Sequence, residues 1–145
     1  MVITIREARA ADAGAAVETL RRSITELCLP DHLGDAQEIA DWLANKTVES
    51  WQAWVARGDA AVLVALRGGD VVGVGMVTLA GEVLLNYVHP KARFVGVSTA
   101  LLGAMEARLR AGDVQTCYLT STLTAQGFYE SCGYRGVGLD LAKAL

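Results

Sequence analysis

Arg93, Gly96 and Ser98 stand at a joint. An apolar run ending in Tyr87-Val88-His89-Pro90 gives way there to a helical repeat of Val97, Leu101, Met105 and Leu109. A helix N-terminus offers N–H groups without intrahelical partners and a partial positive charge, so it suits phosphate. Arg93 adds a full charge, Gly96 lets the backbone come close to an anion, and Ser98 can donate a further hydrogen bond. The joint reads as an anion cradle. It follows neither the Walker loop, whose Lys-Ser/Thr pair is missing, nor the dinucleotide fingerprint, which needs three glycines. A tight turn at Gly96 beside a solvated Arg93 is the plain alternative, and the joint alone leaves both open.

The whole chain bounds what could position such a cradle. Its 145 residues, 52% of them hydrophobic, predict one domain over 1–145 with a core that needs no staples. The longest apolar runs, such as Ala60 to Leu66, have strand length and fall short of a membrane span. The opening "MVITIREAR" does not read as a signal peptide. Cys28, Cys117 and Cys132 cannot all pair and show no CxxC spacing, which predicts a reducing, cytoplasmic location. No metal site is expected. A net charge of −3 and a pI near 5.3 speak against nonspecific nucleic-acid binding.

The element order is legible in the periodicity. Val2 to Ile5 predicts a strand. Asp12 then offers an N-cap for a helix carrying Ala13, Val17, Leu20, Ile24 and Leu27, which Pro30 stops. A second helix is predicted from Asp35 to Asn45, burying Ile39, Trp42 and Leu43. Thr47 caps a third with Trp51, Trp54 and Val55. Residues 60–88 give three strand runs broken at Gly68-Gly69-Asp70 and Ala80-Gly81, a meander of hairpins. After the joint and its helix, "TCYLTS" reads as a strand, "TAQGFYESC" as a short helix ending at Gly133, and the tail as a last strand or two. The sheet is expected to be mixed, antiparallel early with a strand–helix–strand crossover late, an α/β or α+β layout.

A second stretch, "STLTAQGFYESCGY" from Ser121 to Tyr134, resembles the second signature of the GNAT superfamily of acetyl-CoA-dependent N-acetyltransferases. The matching residues are Ala125, Phe128, Tyr129, Glu130, Gly133 and Tyr134. The joint, Arg93-x-x-Gly96-x-Ser98, is similar to the family's pyrophosphate signature, and the element order follows the family over nearly the whole chain. Three positions depart. Phe94 stands where the family often has Gly, and it is expected to keep ordinary φ < 0 geometry. Ser98 replaces Gly or Ala, and Thr122 replaces a common Asn that bonds the cofactor arm.

The resemblance implies acetyl-CoA as acetyl donor. Its pyrophosphate would sit on Arg93 and on the N–H groups of Phe94, Val95, Gly96, Val97, Ser98 and Thr99. The pantetheine arm would run beside Leu84 to Val88 and near Thr122, with a strand N–H at Tyr87 or Val88 aimed at the acetyl oxygen. Tyr129 would be the general acid, since a phenol with pKa near ~10 stays protonated at neutral pH. Glu82 would be the base, or a solvated charge closing the turn. Asp31 and His32 lie in a loop that often borders the acceptor in this family, though a lone loop histidine is more often simply exposed. Direct attack by a neutral amine without a dedicated base also stays open. His89 reads as structural. The cysteines and tryptophans read mainly as core, with Cys28 either core or loop.

The leading expectation is therefore transfer of acetyl to a primary amine, on a small molecule or a peptide, in a ternary complex. A non-catalytic acyl-CoA-binding regulatory module is the runner-up, and a structural dimer subunit without cofactor the third reading. Homodimers are common in the family.

Overall fold

β1 (Ile3–Glu7), β2 (Ala60–Arg67), β3 (Asp70–Thr78) and β4 (Val83–Val88) form an antiparallel sheet in that order. The computed structural model describes residues 2–145, so Met1 of the expected domain lies outside the described residues. The β2–β3 hairpin turns on Gly68 (φ 59) and Gly69 (φ 86), a two-residue loop whose left-handed backbone matches the strand twist. β5 (Thr116–Thr120), β6 (Arg135–Val137) and β7 (Asp140–Ala144) make a second antiparallel sheet ordered β5-β7-β6.

The two sheets meet at one point. Glu82, just before β4, bridges Tyr118 of β5 in parallel sense, and the Tyr118 N–H donates to the Gly81 carbonyl at 2.9 Å. Beyond that bridge β4 and β5 are not paired. Met76 pairs with Leu85 and Val77 with Val83, which leaves Leu84 as an extra residue on β4. Such a bulge bends its strand and raises its twist, which carries the second half of β4 away from β5. The expected mixed sheet is thus present, split into a V along its one parallel pair.

Helices cover both faces of the first sheet. On one side α1 (Ala13–Leu27) and α4 (Val48–Val55) pack Ala16, Leu20 and Trp51 against Val62, Val64, Val74, Met76 and Leu85. On the other, α5 (Val97–Ala111) lays its predicted face of Val97, Leu101, Met105 and Leu109 into the core. Close approach of α5 depends on two strand glycines. A Cβ at Gly73 would stand 2.5 Å from Val97 Cγ1, and one at Gly75 3.2 Å from Met105 Cε. Thr47 caps α4 as expected, its side chain accepting from the Ser50 N–H.

Several local expectations are corrected. Asp12 does not cap α1. Its carboxylate is taken by Arg6 at 2.8 and 2.9 Å and by the Arg9 N–H at 2.7 Å, so the ion pair outcompetes the cap. Pro30 does not simply stop the chain's helical course. α1 ends at Leu27, and Pro30 occupies the first turn of a short α2 (Leu29–His32), where its missing N–H costs nothing. α3 (Ala36–Leu43) closes two residues earlier than expected, and of Ile39, Trp42 and Leu43 only Leu43 is fully buried. α6 (Gln126–Ser131) is shorter than its predicted stretch, and the tail forms the two strands β6 and β7.

Candidate active site

The open end of the V is a cleft of about 280 Å³, walled by β4, the first turn of α5, the β5–α6 connection and the end of α1. Arg93, Phe94, Gly96, Val97, Ser98 and Thr99 line it on one side, with Tyr87, Val88, Thr122 and Tyr129 also on its wall, whereas Val95 of the predicted set is exposed and does not line it. A smaller space of about 50 Å³ continues between β4 and β5, sharing Asn86, Tyr87, Thr122, Ala125 and Tyr129.

The cradle is built by backbone. Gly96 precedes α5 with φ 87 and ψ 13, and no side chain caps the helix. The intrahelical ladder starts with the Ala100 N–H donating to the Gly96 carbonyl, so the N–H groups of Val97, Ser98 and Thr99 keep no helical partner. Nothing lies within 4 Å of where a Gly96 Cβ would project. Glycine is required there by its φ, and the space above the turn is free for a ligand. Phe94 corrects the expectation of negative φ. It adopts φ 62, because two left-handed residues, Phe94 and Gly96, are what turn the strand exit into the helix. Its side chain is 91% exposed, so nothing crowds the strained backbone, and the Arg93 guanidinium lies 4.5 Å from its ring centre.

Strand alternation decides which β4 groups face the gap. The His89 N–H donates to the Val72 carbonyl, in register with Tyr87 opposite Val74. Those residues bond inward to β3, so the Asn86 and Val88 N–H groups point to the open edge. Of the two expected oxyanion donors, the Val88 N–H faces the open edge and the Tyr87 N–H faces β3. The Tyr87 side chain is on the α1 side, its hydroxyl beside the Trp42 indole, and burial pushes its phenol up to about 12.

Tyr129, on α6, is only 6% exposed yet lines both spaces. Its ring packs edge-on to Tyr134 at 5.7 Å between centres. Tyr134 is fixed in turn, its hydroxyl donating to buried Glu106 at 2.7 Å, which Lys143 also approaches at 3.1 Å. Burial pushes the Tyr129 phenol well above its ordinary pKa, opposed by the neighbouring Asn86 amide. The two do not close a hydrogen bond. Asn86 Nδ2 instead donates to the Ser98 carbonyl at 3.4 Å, and Asn86 Oδ1 is buried without any partner. Sequence reasoning passed over Asn86; its signal was a lone amide inside the apolar run "VLLNYV".

The remaining predicted residues are engaged with the protein itself. Thr122 lines the cleft, but its hydroxyl accepts the Ala125 N–H and so serves the start of α6. Asp31 accepts from the Leu123 N–H at 2.7 Å and from the Thr124 N–H at 3.1 Å, with the Thr124 hydroxyl as a third donor. It is a strap between α2 and the β5–α6 loop. His32 is buried rather than exposed, at 3%, because both ring nitrogens are engaged: Nδ1 accepts the Gly34 N–H at 3.0 Å, and Nε2 bonds the Ile24 carbonyl at 2.9 Å. Glu82 lies at the closed apex of the V, outside both spaces, its N–H held by Thr78 Oγ1. Cys28 is buried and lines the cleft, and burial pushes its thiol up to about 11, which suppresses the thiolate.

A family profile described as "Acetyltransferase (GNAT) domain" matches residues 29–144. The crystal structure of PaiA N-acetyltransferase from Thermoplasma acidophilum in complex with coenzyme A has a TM-score of 0.85 at 20% identity, covering 100% of both chains. A GCN5-related N-acetyltransferase from Rhodopseudomonas palustris reaches 0.89 at 20% identity, covering 100% of this chain and 99% of its own. A GNAT family acetyltransferase from Brucella melitensis in complex with acetyl-CoA gives 0.71 at 20% identity, over 99% of this chain and 88% of its own. No curated protein sequence matches significantly. At these identities the solved structures establish a shared fold.

Proposed function

This chain belongs to the GNAT acetyltransferase family, and on that footing we propose that it transfers the acetyl group of acetyl-CoA to a primary amine by direct attack in a ternary complex. One observation carries the reading: a continuous cleft leads from the uncapped first turn of α5, along the open edge of β4, to the hydroxyl end of Tyr129. The residues present suit coenzyme A. The unpartnered N–H groups of Val97, Ser98 and Thr99 with Arg93 match a diphosphate, and the free edge of β4 matches an amide-bearing arm.

When bound, acetyl-CoA supplies an acyl carbon activated as a thioester and a thiolate leaving group. The chain supplies the rest. The Val88 N–H donates to the acyl oxygen as negative charge grows there. Tyr129 gives its hydroxyl proton to the departing sulfur, and its raised pKa keeps that proton in place at neutral pH. Among the described residues no carboxylate lines either space, so the reading assigns no side chain as base. The amine arrives neutral, and the proton released from its nitrogen returns through water to the Tyr129 phenolate, which restores the acid. The reading takes residues 1–145 as one cytoplasmic domain acting on a small-molecule or peptide amine. A non-catalytic acyl-CoA-binding module would use the same cradle, but it has no need of a buried phenol at the end of the cleft.

Calorimetric titration with acetyl-CoA tests the cradle. Binding is expected for the wild type and a loss on the order of a hundredfold for Gly96→Glu, about 2.7 kcal/mol. A thiol-release assay across an amine panel tests the transfer. Tyr129→Phe should lower the rate by about 10² or more with acetyl-CoA affinity unchanged. A wild type that binds nothing sinks the reading, and binding without transfer to any amine favours the module.

A further inference from the structure

Asn86 is a polar side chain of the cleft whose chemistry the transfer step leaves unused. It stands on β4 between two places already given roles. One is the first turn of α5, where its Nδ2 donates to the Ser98 carbonyl. The other is the neighbouring Tyr129 hydroxyl. Because a carbonyl can only accept, the Ser98 contact fixes which end of the amide is which. Oδ1 is then the end left over, buried and without a donor. An unmatched buried acceptor disfavours the folded state, and the residue lines both the main cleft and the narrower space beyond it. Because Asn86 lines the space between β4 and β5, a donor threaded there lies beside the amide whose oxygen is left over.

We infer that Asn86 is a positioning residue for the donor substrate: its Oδ1 accepts an amide N–H of the pantetheine arm as that arm passes from the α5 cradle to Tyr129. This rests on the acetyl-CoA reading above and adds to it a side chain that sets the depth of the arm. The arm fits because it joins a diphosphate to a sulfur and carries amide N–H donors between them. Asn86 lies between the residues suited to those two ends. With Oδ1 satisfied by the arm, the amide is held at both ends, and the sulfur is delivered to Tyr129 at a fixed depth.

Calorimetric titration with coenzyme A and with its nucleotide fragment, 3′-phospho-ADP, separates arm from cradle. Asn86→Leu, close in size, should bind coenzyme A about tenfold more weakly, which is 1.4 kcal/mol, and 3′-phospho-ADP within about twofold of wild type. Asn86→Ala should show the same pattern and stands in if the leucine variant does not fold. Equal weakening toward both ligands overturns the inference, since Asn86 would then only be holding the α5 turn through Ser98. Unchanged affinity for coenzyme A overturns it as well. Those results leave acetyl-CoA binding by the wild type intact, whereas a wild type that binds neither ligand overturns the underlying reading and this one together.

Discussion

The body of α5 and its first turn belong to one helix and meet opposite treatment. Along the body every contact is completed. Leu101 and Met105 are fully buried, and Gly73 and Gly75 remove the side chains that would hold the helix off the sheet. At the first turn little is completed. No side chain caps the N–H groups, Asn86 Oδ1 has no donor, and β4 turns the Val88 N–H to an empty edge. Buried or uncapped polar groups disfavour folding, so they persist only where surrounding packing fixes them. The glycine-backed body of α5 supplies that packing, and the cradle is the part of the same helix left for a ligand.

The comparison breaks most visibly at Gly73. Gly73→Val places new carbon against Val97, a stiff β-branched residue at the start of α5, and should cost about 3 kcal/mol. Thermal unfolding should register a fall of roughly 10 °C, and coenzyme A binding should fall with it because the cradle moves. A variant with normal stability would mean that α5 is not held by close approach. Asp31→Ala tests the mouth's own tie. Losing its contacts to Leu123 and Thr124 should cost about 1 kcal/mol and speed amide exchange at those two residues several-fold, with α5 unaffected.

Asp12→Asn is the control, since the Arg6–Asp12 pair touches neither region. The Arg6 hydrogen bonds hold the Asp12 carboxyl below its ordinary pKa. Its contribution is therefore present above about pH 4 and lost as pH falls through the lowered value. The substitution should cost less than about 1 kcal/mol at pH 7, vanish as a difference in strong acid, and leave coenzyme A titrations unchanged.

What could be read in the sequence followed the range of the interaction. The meander, the α5 face and the Thr47 cap depend on neighbours within a few residues, and periodicity carries them. The cradle was legible for the same reason, as Arg93, Gly96 and Ser98 fall within one turn of chain. The burial of His32, read as an acceptor contact or a simply exposed ring, was not legible because its partners, Ile24 and Gly34, are brought together only by the α1–α2 connection. Asp31 looked like an acceptor contact, while its actual partners lie some 92 residues away in sequence. Glu82 is on the expected strand edge, but the apex of the V takes it out of the cleft, and no pattern in β4 announces where β5 will touch. Gly73 and Gly75 sit inside a strand run whose pattern gives them no reason, and the packing of α5 supplies it.

That single touch between β4 and β5 makes the split sheet a pair of tongs. The pivot is at Gly81 and Glu82, where Gly81 has φ 123 and a Cβ would come within 2.5 Å of the Thr116 carbonyl oxygen. From there β4 runs six residues, an arm of roughly 20 Å at ~3.3 Å per residue, to the tips that flank the cleft. A small wedge at the pivot is magnified along that arm. The gauge of the jaws is therefore set by a backbone contact at the closed end of the cleft, where Gly81 and Glu82 meet Thr116 and Tyr118.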